Sequence, residues 1–284
     1  IGWFALMTGL TGATMYETFG QSEVGMTILA GVLFIAGTFI GIRFLAFFGY
    51  IAGPLFVILG AIAIYYAVQT GTADIMSYQA VIEPSKAMPF GLCASIVFST
   101  FIDSGTMTSD FTRWSKTGWQ GFWASTTAFP FTKSIAELIG AIIVATGSSV
   151  ITDPATNGGQ FSNLLVHHNA VLTFIVVLFI FINLGVACTH CLYNGAVGWA
   201  MITKKKMRLL TIILGVIGVT AAASGMWGAY QGWLVMLGVL VPPIATIIIM
   251  DQVVLNRKIE DSKLRPVNFV PVAFICWALA SIVS

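Results

Sequence analysis

Charged residues are scarce in this chain: only 8% of its 284 residues are Asp, Glu, Lys or Arg, whereas 57% are hydrophobic. A soluble globular domain carries about 25% charged residues, so this composition excludes that class and is typical of an integral membrane protein. The formal net charge is only +2, and the basic residues are scattered at the ends of apolar segments. A nucleic acid is therefore not expected as a partner.

Cysteine is also rare, and the four cysteines all fall in apolar segments, which argues against a disulfide framework. No Asn is followed two positions later by Ser or Thr, so glycosylation gives no indication of the compartment. The chain starts without Met and without the pattern of a signal peptide, and both of its ends lie in apolar stretches. We expect a fragment of a longer membrane protein, whose other helices would carry part of any site.

The sequence is rich in long apolar runs. About 20 mostly apolar residues cross a hydrocarbon core of about 30 Å, and this template predicts nine segments. They lie near residues 1–19, 24–42, 45–69, 87–112, 122–147, 170–199, 208–226, 229–250 and 267–284. The sequence therefore predicts an all-α, polytopic fold.

The basic residues are concentrated in every second connection between these segments. They are Arg43, then Arg113 and Lys116, then Lys204, Lys205, Lys206 and Arg208, and finally Arg257, Lys258, Lys263 and Arg265. The other connections hold Glu23, Asp74, Glu83 and Asp153, with Lys86 as their only base. The positive-inside rule places the basic connections in the cytoplasm, and we expect a multi-pass protein of the plasma membrane.

The stretch FIDSGTMTSDFTRWSK, residues 101–116, interrupts the fourth segment with polar residues. A charge near the bilayer centre costs about 2.5–3.5 kcal/mol on insertion scales, and Ser104-Gly105-Thr106 is a poor helix-forming run. Non-helical backbone survives at that depth only where protein or a water-filled cavity satisfies it. The pattern favours a helix broken at Asp103–Thr106, as at the substrate sites of secondary transporters. Alternatively, Asp103 lies nearer the membrane surface, and Gly105 only allows a neighbouring helix to pack closely.

This stretch resembles the sixth helix of the nucleobase–cation symporter family, especially its cytosine permease (purine/cytosine permease) branch. Three other stretches resemble family landmarks in the same order. They are GWF at residues 2–4, LYNGAVGWAMIT at residues 192–203 and GWLVMLGVLVPPIATIIIMDQVVLNRK at residues 232–258. The resemblance implies a leucine-transporter-type inverted-repeat fold with a broken sixth helix, of which this chain covers roughly helices three to eleven. Pro242 and Pro243 are expected to kink the tenth of these helices, since proline has no N–H to donate.

The resemblance implies a secondary transporter that imports a nucleobase or related aminopyrimidine, cytosine-like, by alternating access and coupled to a cation. Residues 1–284 would then form a single transmembrane transporter domain, truncated at both ends. The partners would be the heterocycle, a proton or sodium ion, and the lipid bilayer. Neither enzymatic activity nor a cofactor is expected.

Six residues are implied as substrate-binding. Trp3 matches the family's stacking tryptophan, and Phe101 matches the aromatic residue that closes the other face of a planar ring. Ser104, Asn183 and Cys188 also align with positions near substrate. Read from the residues alone, Trp3 and Phe101 would be packing aromatics.

The sixth residue, Asp103, occupies a position that is typically serine in cytosine permeases. A carboxylate there can accept two N–H bonds from an amino-substituted ring. Alternatively, Asp103 is protonated at rest and acts as a coupling group, or it only caps the unwound turn.

Two further positions bear on the coupling ion. Sodium-coupled members place two Ser/Thr hydroxyls on the eighth helix, where this chain has Val186 and Ala187. A hard cation needs several oxygen ligands, so the sodium site looks incomplete and a proton is the substitute. Lys133 and Glu137, one helical turn apart, form either a self-neutralising pair or a pair whose Glu137 carries a proton.

A membrane-embedded enzyme and a channel are the competing classes, and two motifs bear on the first of them as a possible metal or haem site and a possible enzyme site. They are CTHC at residues 188–191 and the adjacent His167 and His168. A zinc site needs four convergent ligands, and neither motif has that spacing, so no metal site is predicted.

Overall fold

The computed structural model describes residues 1–78, 88–102, 104, 108, 112, 114–148, 162–166, 168–254 and 270–283 of the chain. These residues are helical throughout, apart from short connections, and no strand occurs among them. The helices are α1 Gly2–Phe19, α2 Glu23–Ile40, α3 Ile42–Thr70, α4 Phe90–Ser99, α5 Gly118–Thr126, α6 Thr132–Ala145, α7 Ala170–Thr203, α8 Met207–Ala223, α9 Tyr230–Leu240, α10 Pro242–Ile249 and α11 Pro271–Val283. Each of the nine predicted segments overlaps at least one of them.

Five stretches of the described chain are long and apolar enough to cross a membrane. They are Glu23–Ile40, Arg43–Thr70, Gly118–Ala145, Ala170–Thr203 and Met226–Ile249. Large apolar side chains on these stretches and on α8 face outward, such as Ile28 on α2 and Val216 on α8. Hydrocarbon is the solvent that suits such surfaces, as expected for a polytopic membrane protein.

The connections carry ordinary helix-capping chemistry. The hydroxyl of Ser22 accepts a hydrogen bond from the Gly25 N–H at 3.2 Å and so begins α2. The Asn169 carboxamide oxygen accepts from the Leu172 N–H at 2.7 Å and begins α7. These side chains satisfy N–H groups that have no partner within the helix, which fixes where the helices start.

The helices fall into two compact units. The first unit comprises Ile1–Val81 and Thr132–Gly228, and the second comprises Ile82–Phe131 and Ala229–Ser284. The chain passes from the second unit to the first at the end of a π-helical turn, Thr127–Phe131, which contains Pro130. The single transporter domain over residues 1–284 stays a prediction.

The first unit is built on α1, α2, α7 and α8, each of which packs against the other three. Small residues allow this close approach. A methyl group added to Gly12 would overlap the Thr27 hydroxyl and lie 2.6 Å from the Glu23 carbonyl oxygen. The buried side chains between these helices are Phe4, Ala30, Phe34, Cys188, Leu192, Ala196, Leu210 and Leu214.

A second core of the same unit lies where α3 meets α6, α7 and the helical turn Ser162–Leu165. Leu59, Ile143, Leu165 and Val176 are fully buried there. The two cores share α7, which therefore forms the centre of the first unit.

In the second unit, α4 packs on α9, and α10 packs on α11. The predicted proline kink is confirmed, because α9 ends at Leu240 and α10 begins at Pro242. The Trp277 indole N–H donates to the Leu240 carbonyl oxygen at 2.8 Å. This bond satisfies an acceptor at the point where proline interrupts the helical ladder.

Candidate functional site

The two units each carry part of the predicted substrate site. Trp3, Asn183 and Cys188 belong to the first unit, and Phe101 and Ser104 belong to the second. Asp103 lies outside the described residues, so its geometry stays a prediction. The convergence of these side chains on one ligand also stays a prediction.

Trp3 lies in the first turn of α1 and is half-buried. Its neighbour Phe4 is fully buried against α8, at the position where a methyl group on Gly218 would collide with its ring. Phe4 thus holds the start of α1 in the core, while part of the Trp3 ring stays accessible. A partly accessible indole at a fixed helix end is suited to stacking on a planar ligand.

The helix α7 has two distinct faces over residues 183–192. Gly185, Cys188, Thr189 and Leu192 are buried and face the core of the first unit. Asn183, Val186, Ala187 and His190 are half-buried and lie on the other face. This is the face that i, i+3, i+4 spacing predicts for them.

Asn183 has unused hydrogen-bonding capacity. Its carboxamide has two donors and an acceptor, yet it forms no hydrogen bond with the residues that the structure describes. These donors and this acceptor can therefore hydrogen-bond to an external ligand.

Cys188 lies on the opposite face of α7 from Asn183 and is fully buried. Its Sγ lies 3.5 Å from the Thr8 Oγ1 and 3.8 Å from the Phe4 carbonyl oxygen. The thiol therefore contacts α1 one residue away from Trp3. Its predicted contact with substrate stays a prediction, but its observed contacts are with α1.

The fourth segment is interrupted in the second unit. The helix α4 ends at Ser99, and residues Thr100 and Phe101 form a turn before helical geometry resumes at Ile102. Through this turn, the Phe101 N–H bonds to the Phe98 carbonyl at 3.5 Å. The Ser104 N–H likewise bonds to the Phe101 carbonyl at 3.0 Å.

The interruption therefore lies just before the predicted break at Asp103–Thr106. Of that predicted stretch, only Ser104 is described, and it is half-buried. The Phe101 ring is 44% exposed and meets Phe129 edge-on, with centroids 6.0 Å apart. An exposed aromatic ring thus lies at the interruption, as the stacking prediction requires.

Hydroxyl groups on α7 are the natural ligands for a cation on that helix. Its three threonines all donate hydrogen bonds to carbonyl oxygens. Thr173 donates to Asn169 at 2.9 Å, Thr189 to Phe34 at 3.4 Å and Thr203 to Trp199 at 2.7 Å. Val186 and Ala187 offer no side-chain oxygen.

Lys133 and Glu137 form an ion pair on α6, as the i,i+4 spacing predicts. Among the residues that the structure describes, no group of three or more His, Cys, Asp or Glu side chains could hold a metal ion. His168 stacks on Tyr66 with centroids 3.8 Å apart, while its neighbour His167 lies outside the described residues.

Sequence reasoning did not single out Thr8 as the partner of Cys188. The available signal was the spacing of Thr8, Thr11 and Thr18, which are all buried on α1. Tyr193 and Arg208 line a cavity within the first unit, and sequence reasoning did not single them out as candidate ligand-binding residues. Tyr193 lies one turn beyond the buried Thr189 on α7.

A chain of apolar helices, one of them interrupted beside an exposed aromatic ring, belongs to the class of polytopic helical membrane proteins. Comparison with known proteins gives the family. Residues 7–266 match the family described as permease for cytosine/purines, uracil, thiamine, allantoin. The chain belongs to this family, and the predicted resemblance, the all-α polytopic class and the multi-pass membrane localisation are confirmed.

Three curated relatives are cytosine permeases from Escherichia coli, of strains K12, O6:H1 and O157:H7. Each is 26% identical to this chain over 284 residues, which is 99% of this chain and 64% of the relative. The chain thus spans about two-thirds, 64%, of the length of these relatives.

Proposed function

We propose that this chain forms most of a secondary transporter that imports a small planar nitrogen heterocycle, either a nucleobase or a related aminopyrimidine such as cytosine. The observation that carries the proposal is the family match over residues 7–266. The interrupted helix supports it, since transporters build substrate sites from discontinuous helices.

The substrate would stack between the rings of Trp3 and Phe101. Stacking on an aromatic side chain contributes about 1–3 kcal/mol per base in nucleic-acid binders, and both rings keep accessible surface. The carboxamide of Asn183, which has no hydrogen-bond partner among the described residues, and the hydroxyl of Ser104 would bond to polar atoms on the edge of the heterocycle. Cys188 would act as a positioning residue, because its thiol contacts α1 beside Trp3.

Asp103 would supply selectivity. Its carboxylate would accept N–H bonds from an amino-substituted ring while water fills the open site. Closure of the site expels that water, and an unpaired carboxylate would then cost several kcal/mol. The site would therefore close readily only when Asp103 is paired with substrate or protonated.

The coupling ion would be a proton, or the positive charge of the substrate itself, rather than sodium. Val186 and Ala187 stand where sodium-coupled members of the resembled family place two hydroxyl ligands, and neither side chain has an oxygen to offer a cation. Alternating access would come from the broken-helix bundle rocking against a scaffold. The closely packed α1, α2, α7 and α8 would provide that scaffold.

Uptake by the full-length protein in vesicles tests this proposal. Labelled pyrimidines, purines, amino acids and sugars are offered with sodium and pH gradients imposed separately. We expect saturable uptake of a heterocycle that responds to pH and ignores sodium. Binding of amino acids or sugars without any heterocycle would contradict the substrate class, and unsaturable flux would indicate a channel.

Variants test the named residues in the same assay. Trp3→Ala should weaken substrate binding by about five- to a hundredfold, the equivalent of about 1–3 kcal/mol of stacking. The matched control is Trp119→Ala, because Trp119 is 66% exposed in α5 and should leave binding unchanged. Asp103→Ser should lower affinity or abolish pH sensitivity. Sodium-driven uptake that this substitution leaves unchanged is the outcome that contradicts the coupling mechanism.

A further inference from the structure

A cavity of about 280 Å³ lies within the first unit, where α2 ends and α8 begins. It is lined by Thr38, Phe39, Ile40 and Gly41 of α2 and its turn, by Tyr193 of α7, and by Met207, Arg208 and Thr211 of α8. The Tyr193 hydroxyl and the Arg208 guanidinium are the strong hydrogen-bond donors of this lining. The two threonine hydroxyls already donate to carbonyl oxygens of their own helices.

Gly41 forms the turn beside this cavity. Its φ of 72° and ψ of −144° form a turn that a side chain would strain, and the turn joins α2 to α3. The Tyr193 ring lies 3.6 Å from the point where a Gly41 side chain would begin, which is ordinary contact distance. Glycine is therefore required here by the backbone conformation of the turn that borders the cavity.

The chain segments next to the cavity lining are rich in basic residues. Lys204, Lys205, Lys206, Arg208 and Arg43 are all exposed. In the part of the chain that the structure describes, none of them forms an ion pair. The first turn of α8, a helix of 17 residues, also lacks a side-chain cap, so its N–H groups add to the positive potential.

One side of the cavity lining is apolar, and exposed apolar side chains continue from it along α8. Phe39 and Ile40 line the cavity and are 42% and 61% exposed. Ile212 and Val216 extend an exposed apolar surface along α8. A ligand that suits this arrangement is anionic at one end and hydrocarbon at the other.

We propose that this cavity binds the headgroup of an anionic phospholipid, whose phosphate is held by Arg208 and Tyr193. Its acyl chains would lie along the exposed apolar side chains of α2 and α8. Charge complementarity favours this occupant, since basic pockets between membrane helices bind anionic headgroups. A free phosphate ion would leave the apolar side of the cavity without a partner.

Lipid titration of the full-length protein in detergent, followed by native mass spectrometry, tests the proposal. The probes are phosphatidylglycerol, phosphatidylcholine and millimolar inorganic phosphate. We expect phosphatidylglycerol to bind more tightly than phosphatidylcholine, and inorganic phosphate not to displace it. Arg208→Gln should weaken phosphatidylglycerol binding by about fivefold, the effect of one basic residue near an anionic headgroup. Arg208→Lys should weaken phosphatidylglycerol binding less than Arg208→Gln does, because lysine keeps the positive charge but lacks the planar guanidinium group.

Lys116→Gln is the matched control, because it removes one exposed positive charge from another basic connection without touching the cavity. Its dissociation constant should stay within about twofold of the native value, since only general attraction is lost. Tyr193→Phe keeps the ring and removes the hydroxyl, so it tests the site if Arg208→Gln does not fold. Equal weakening by Arg208→Gln and Lys116→Gln would overturn the proposal in favour of diffuse attraction. Displacement by inorganic phosphate would overturn it in favour of a phosphate site.

Discussion

The two units differ in how their helices are held together. In the first unit, large side chains such as Phe4, Leu59 and Ile143 are fully buried, and glycines bring the backbones close. In the second unit, α5 buries only Gly121, and no residue of α11 is buried within the described chain. The predicted stacking ring on an interrupted helix, Phe101, belongs to this loosely packed unit. Stability is therefore expected to respond more strongly to mutations in the first unit than to mutations in the second.

Removal of a large aromatic ring should produce the largest difference in stability loss between the two units. Phe4→Ala in the first unit is expected to cost about 3–5 kcal/mol of unfolding free energy, because it leaves a cavity in a closed core. Phe98→Ala is the matched change in the second unit, where the ring is 63% exposed on α4, and it should cost about 0.5 kcal/mol or less. Chemical unfolding of the full-length protein in detergent measures both. Similar losses would show that the two units are packed alike.

Addition of one methyl group should also destabilise the first unit more than the second, but by a smaller amount. Gly12→Ala is expected to destabilise the protein by about 1–3 kcal/mol, since the new Cβ would collide with Thr27 and the Glu23 carbonyl. Gly232→Ala in α9 has nothing within 4 Å and should be neutral, or stabilising by up to about 1 kcal/mol. Thermal unfolding of the two variants side by side is the measurement. A neutral Gly12→Ala would mean that α1 and α2 can separate freely.

The smallest effect is expected from the ion pair on α6. Glu137→Gln should cost about 0.2–0.5 kcal/mol, because the pair is partly exposed and screened by solvent. Uptake by this variant should keep the native pH dependence if the pair only neutralises itself. Loss of pH-driven uptake would instead identify Glu137 as a proton carrier, which is the alternative that the sequence leaves open.

The sequence predicted the helices well, because an apolar run of membrane-spanning length has few other ways to satisfy its backbone. It also predicted the break at Pro242, since proline cannot complete the ladder. It did not predict the turn at Thr100 and Phe101, while the predicted break at Asp103–Thr106 lies mostly outside the described residues and stays a prediction. The Ser99 hydroxyl bonds to the Ser95 carbonyl and the Thr100 hydroxyl to the Val97 carbonyl, both at 2.6 Å. Such bonds compete with the helical ladder, and here they accompany its end at Ser99.

The candidate site was less predictable than the helices. Helical periodicity predicted that Asn183 and His190 share a face of α7, and the structure shows both half-buried. It did not predict the contact of Cys188 with Thr8, since these residues are 180 positions apart in the sequence. Long-range contacts of this kind depend on which helices pack together, which periodicity in one helix cannot reveal.

The hydrogen bonds of the threonine hydroxyls make the helices of this chain less polar toward lipid than their composition indicates. Thr203, Thr220 and Thr246 are exposed, and each donates its hydroxyl to a carbonyl four residues earlier in its own helix. With the hydroxyl occupied, such a threonine presents mainly its methyl group to lipid, much as valine would. A hydropathy scale that counts every threonine as polar therefore understates how lipid-compatible these helices are. The amide of Asn183 forms no such bond with any residue that the structure describes, so its polarity remains available.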